Sequence, residues 1–241
     1  MMLIAVLFSS CKKKKKSSSE ETDDPGPVPT TSLTPFFYWG SFEHNLARGD
    51  SSATNYYGTI AFASAGFFNE LYRPGDPFNN IDGGSVSING TAFTKQIIGT
   101  YANYYIPGSL VPTNPSQWLC SGNGTVPAIS FNDNTPWPTY TGQNVLPDTI
   151  RTGYNNIILI QGVSGADELQ VNLASGLNWF QKVYAANTNA VFVTPTDLSV
   201  LATWNPGFMQ IILRRKTIQV FNGKPYQFIK AYTWNHNVFY K

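Results

Sequence analysis

Charge is scarce in this 241-residue chain: Asp, Glu, Lys and Arg together make up 12% of it, less than the 15% that is aromatic. From Ser32 onward the balance is nearly neutral, with 11 Lys+Arg and 10 Asp+Glu, which argues against a strongly charged partner and against nucleic acid. Histidine is limited to His44 and His236 and cysteine to Cys11 and Cys120, so bases, metal ligands and disulfides are all in short supply. No apolar run approaches the roughly 20 residues of a membrane-spanning helix. The chain lacks a G-x-S-x-G elbow, an H-E-x-x-H pair and a phosphate-binding glycine loop. Its acids fall mostly in expected loops, and nothing marks two of them as the facing carboxylates of a glycosidase. These gaps point to a protein that is not an enzyme, and they imply no cofactor and no metal.

What is present begins at the N-terminus. Residues 1–10, "MMLIAVLFSS", form an apolar stretch of signal-peptide length that ends in two serines directly before Cys11. Five lysines follow, then Ser17 to Thr31 with Glu20, Glu21, Asp23, Asp24 and three prolines. This segment has too few apolar residues to bury and is expected to be a disordered stalk. The apolar run, small residues and cysteine resemble a bacterial lipobox, and the charged linker is similar to that of Bacteroides-type outer-membrane lipoproteins. That resemblance implies cleavage before Cys11, lipidation of Cys11 and an anchor in the outer membrane, in the periplasmic or the cell-surface leaflet. Acyl chains stabilise such an anchor by about 0.8 kcal/mol per buried methylene, and lysines beside the bilayer add about 1 kcal/mol each against anionic headgroups. With Cys11 lipidated, Cys120 has no disulfide partner and reads as a small buried hydrophobe.

Beyond the stalk, Tyr, Thr, Val and Ile with frequent Gly and Pro, of which the whole chain has 20 and 16, favour short strands over helices. The expected fold is all-β, with two antiparallel β-sandwich domains: a signal peptide at 1–10, the stalk at 11–34, one sandwich at 35–143 and a second at 144–241. The junction is placed by "FNDNTPWPTYTGQNVLPDTI" (131–150), where prolines and turn residues interrupt the apolar patterning. About seven strand-like runs follow it, including "GFMQIIL" (207–213), "KTIQVF" (216–221) and "PYQFIKAYTW" (225–234), with one helical turn expected within 194–207. That density resembles an immunoglobulin-like sandwich, a likeness of architecture that carries no activity. In "SVSING", Val86 and Ile88 alternate with polar residues before an Asn-Gly turn. Asn222-Gly223 marks a second hairpin. There a three-residue loop is expected, because it pairs Val220 with Tyr226 and Ile218 with Phe228, whereas a two-residue loop sets Arg215 against Lys230.

Candidate site residues are few. Trp137, held between Pro136 and Pro138, and the nearby Tyr140 are expected to be displayed on a surface loop, where flat rings could stack on the C–H faces of sugars. "DTI" at 148–150 resembles a short O-glycosylation motif, which implies Thr149 as a glycan site. "FEHN" puts Glu43 and His44 on opposite faces of a strand, with His44 expected at the surface. "RPGDPFNNIDGG" (73–84) gathers Asp76, Asn79, Asn80 and Asp82, but not in the order of a calcium loop. The expected function is that of a non-catalytic cell-envelope lipoprotein acting as a binding or structural module. Capture of glycan through exposed aromatics is the alternative, and a polysaccharide hydrolase the more distant one.

Overall fold

A computed structural model describes residues 38–49, 60–72, 80–98, 101–106, 110–176, 178–201 and 207–241. The chain from Thr31 to Lys241 is one compact unit. Its strands are β1 (Tyr38–Gly49), β2 (Ile60–Tyr72), β3 (Val86–Ile88), β4 (Thr91–Ala92), β5 (Thr94–Ile98), β6 (Tyr101–Ile106), β7 (Ser116–Cys120), β8 (Ile129–Asp133) and β9 (Thr139–Tyr140). They continue as β10 (Thr149–Ile150), β11 (Asn156–Leu159), β12 (Val163–Ser164), β13 (Glu168–Ser175), β14 (Asn178–Ala185), β15 (Ala190–Val193), β16 (Gly207–Phe221) and β17 (Lys224–Tyr240). One α-helical turn among the described residues, α1 (Pro195–Leu198), falls where one is expected, and a 3-10 turn spans Gln143–Val145; α1 opens on a capping box in which Thr194 and Asp197 bond each other's backbone N–H. The fold is all-β, built from mostly antiparallel sheets packed together.

The largest sheet runs in the order β14-β13-β16-β17-β1-β2-β6-β5. It therefore crosses the junction expected near residue 144: β1, from the first segment, pairs in parallel with β17, from the second, along Gly40–Gly49 and Tyr226–Asn235. A second sheet, β4-β3-β7-β8, and the pairs β11/β15 and β9/β12 are separate. Alternation explains the local pattern. In β7, Ser116, Trp118 and Cys120 are buried while Gln117 and Leu119 are exposed, and Val86 and Ile88 of β3 are buried as expected.

Two cores form on one face of the large sheet. The first gathers Ile158, Leu169, Val171, Leu173, Val191, Met209, Ile211, Leu213 and Val238; the second gathers Phe42, Phe67, Val86, Ile88, Tyr104, Trp118, Tyr226 and Phe228. At 15 and 17 residues, β16 and β17 extend roughly 50 Å at the usual rise per residue. The even-numbered side chains of β17 thus serve both, Tyr226 and Phe228 in the second core and Tyr232, Val238 and Tyr240 in the first.

Two expectations are corrected here. The runs 207–213 and 216–221 are one uninterrupted strand. Their connecting Arg214-Arg215-Lys216 is accommodated by Asp167 and Glu168 across the ladder: Arg214 lies 3.0 Å from Glu168, Arg215 lies 3.1 Å from Asp167, and Lys216 contacts Glu168. The β16–β17 hairpin has the two-residue loop, with Phe221 opposite Lys224 and Arg215 opposite Lys230. Asn222 at φ 49° and Gly223 at φ 74° supply the two positive-φ positions that such a turn requires, and each of the opposed cations has its own acid, Asp167 or Asp133.

Candidate binding face and a buried polar node

Because side chains alternate, the odd-numbered residues of β17 and their cross-strand partners lie on the face opposite the two cores. Ile212, Ile229 and Ala231 on that face are buried yet belong to neither core. The register aligns side chains in rows across the strands. One row reads Gln181, Asn172, Gln210, Asn235; the next reads Trp179, Ala174, Phe208, Asn237.

The amides of this face form a chain running one way. Arg214 donates to Gln170 Oε1, Gln170 Nε2 to Asn172 Oδ1 at 2.7 Å, Asn172 Nδ2 to Gln210 Oε1 at 3.1 Å, Gln210 Nε2 to Asn235 Oδ1 at 2.8 Å, and Asn235 Nδ2 to the Arg48 carbonyl at 3.1 Å. Such chains polarise each bond in turn and fix the orientation of every amide. Each link uses one N–H and one lone pair, and an amide carries two of each, so every member retains a donor and an acceptor. Gln170 and Asn172 are only 5% exposed, whereas Trp179 beside them is 50% exposed. The Trp179 ring is held edge-to-face against Phe208 at 5.1 Å. An ordered amide row next to a fixed, exposed aromatic plane matches a ring that offers hydroxyls at its edge and C–H groups on its face.

The described acids are mostly committed to structural contacts. Asp82 accepts from Tyr104 Oη at 2.6 Å, from the Gly84 N–H at 2.8 Å and from Lys95; the Tyr104 hydroxyl, then the Gly84 N–H, draw its pKa down to about 2. Asp197 caps α1, Asp167 and Glu168 hold the basic triplet of β16, and Asp148 lies 3.2 Å from His236. Asp76 and Asn79 lie outside the described residues; Asn80 donates to Asn103. No group of three potential metal ligands occurs among the described residues. Cys120 is buried, its thiol donating to the Gly83 carbonyl at 3.0 Å, and burial raises its pKa.

Between the two cores lies a polar node. Lys230, 1% exposed, occupies the β17 position between Phe228 and Tyr232. Its Nζ donates to Asn114 Oδ1 at 3.2 Å, the Asp133 carbonyl at 2.9 Å and the Thr135 carbonyl at 2.7 Å, and it lies 3.8 Å from the buried Asp133 carboxylate. His44 is its register partner on β1 and is fully buried, which corrects the expected surface position. The alternation of Glu43 and His44 is as expected, but the parallel partner β17 turns His44 inward. Burial, and then the charge of Lys230, lower the His44 pKa to about 4.

The same node holds Trp137, which is not displayed. Its ring centroid is 4.8 Å from that of His44, and its indole N–H donates to the Thr113 carbonyl at 3.0 Å. Tyr140 is 4% exposed and part of the first core. The flanking prolines govern the local backbone, not the direction in which the rings point. Thr149 is half-buried on β10, opposite Phe239 of β17, and Cys11 lies outside the described residues. The sequence reading missed the amide row and Trp179. Its one visible signal was the alternation of Gln170 and Asn172 with Leu169, Val171 and Leu173. No protein-family model matches this chain, and no curated protein matches it either.

Proposed function

We propose that this chain is a non-catalytic lipoprotein of the cell envelope, anchored to the outer membrane through Cys11, that captures neutral glycan on the outer face of its large sheet. The amide chain from Gln170 to Asn235, flanked by the exposed Trp179, is the observation that carries this reading. Amides recognise hydroxyls without demanding charge, and the near-neutral balance beyond the stalk suits an uncharged ligand. The test is a glycan array probed with the protein lacking residues 1–34, alongside Trp179→Ala and Gln210→Ala variants. Binding that falls at least about tenfold, roughly the loss of 1.4 kcal/mol, with unchanged melting supports it. Retention of no glycan, or equal retention by both variants, overturns it. The anchor is tested separately by labelling cells with a clickable fatty acid: label on the wild type and none on Cys11→Ala is expected, and equal labelling contradicts it.

A further inference from the structure

We propose that the buried node is a self-modification site at which Lys230 Nζ and the Asn114 side chain join in an intramolecular isopeptide bond, with the Asp133 carboxylate as the proton carrier. Three observations converge on it. The nucleophile is in place, since Lys230 Nζ stands 3.2 Å from the amide oxygen of Asn114. An acid stands beside the same nitrogen, with Asp133 Oδ1 at 3.8 Å, and both Lys230 and Asp133 have side chains only 1% exposed. The walls are aromatic: the Trp137 ring lies 5.8 Å from Nζ, Phe228 precedes on the same strand face, and His44 faces Lys230 across the ladder. Burial in these surroundings lowers the Lys230 pKa and so favours its neutral, nucleophilic amine.

The step balances without an oxidant or a co-reactant. Lys230 passes one ammonium proton to the Asp133 carboxylate, and the freed lone pair attacks Cγ of Asn114. The new Nζ–Cγ bond forms as the Cγ–Nδ2 bond breaks. A second Nζ proton, relayed through Asp133, completes the departing ammonia, which takes up the proton first transferred and leaves as ammonium, restoring the carboxylate. The product is a secondary amide linking β17 to the segment before β7. The reaction occurs once per chain and involves no outside substrate, so it stands apart from the glycan reading.

The experiment is a tryptic digest of the denatured full chain, analysed by mass spectrometry. The expected result is a branched peptide joining the segments that contain Asn114 and Lys230, lighter than the sum of its two parts by one ammonia, with no cleavage after Lys230. Asn114→Ala, at an exposed position, should restore that cleavage and abolish the branch while the protein stays folded. Asp133→Asn should do the same; if it fails to fold, the Asn114 variant still decides. Quantitative cleavage after Lys230 in the wild type overturns the proposal. So does an ammonia loss that maps to Asn89 or Asn222 as a succinimide, or a branch to Asp133 with loss of water.

Discussion

Replacing Phe228 with alanine tests whether the two cores behave as one body. The ring is fully buried, stacked on Phe42 at 4.7 Å, 4.3 Å from Phe131 and 6.3 Å from both Trp118 and Phe221. Removing such a side chain costs about 3–5 kcal/mol, since transfer and cavity terms add. For a unit of this size, about 2–4 °C is lost per kcal/mol, so Tm should fall by roughly 6–20 °C. The structure also says where the loss will be felt. β17 carries Phe228 in the second core and Tyr232 and Val238 in the first, and it is paired with β16 along its length. Native-state hydrogen exchange can compare the Leu119 amide of β7 with the Leu173 amide of β13. Both should lose protection by the same free energy if each exchanges only through global unfolding. Full wild-type protection at Leu173 with loss at Leu119 would refute the reasoning and show that the cores open independently.

His44 sets a pH window. The unfolded chain protonates it near 6.5, and the folded chain resists until about 4; the unfolded state therefore binds more protons in between. Stability is full above pH 6.5, falls by about 3 kcal/mol on descending to about 4 and then levels, and denaturant melts of His44→Leu should lose that slope. Asp82, with its pKa near 2, contributes stability above its ordinary range that is lost as pH falls from about 4 toward 2; melts of Asp82→Asn in that lower window should be flatter. Trp137→Ala should cost about 3 kcal/mol by urea melt, because its ring packs on His44 and its N–H is bonded; a loss under about 0.5 kcal/mol would restore the displayed loop. Gly223→Ala meets no neighbour within 4 Å and should cost only the left-handed backbone penalty, about 1–2 kcal/mol. A silent substitution would show that the turn rearranges.

Local features were legible in the sequence because they rest on nearest neighbours: the alternation of Val86 and Ile88, the turns at Asn89-Gly90 and Asn222-Gly223, and the short helical turn within 194–207. Pairing between distant segments was not. The parallel alignment of β1 with β17 joins residues more than 180 positions apart, and it alone decides that His44 points inward beside Lys230. Weighing side-chain pairs favoured the longer hairpin loop, because the distant Asp167 and Asp133 that relieve Arg215 and Lys230 have no local signature. For the binding face, composition hinted at aromatics, but it did not show that Gln170, Asn172, Gln210 and Asn235 come from three strands to a common surface. That depends on register, and a shift by one residue would send each amide to the opposite face.

The proposed glycan-binding face is tested most directly by following side-chain NH₂ resonances in an NMR titration with a neutral oligosaccharide retained on the array. The amides of Gln170, Asn172, Gln210 and Asn235 and the indole N–H of Trp179 should shift together along one saturation curve, while the buried indole N–H of Trp118 stays still. Saturable shifts confined to other surfaces, with the amide row unmoved, would contradict the account.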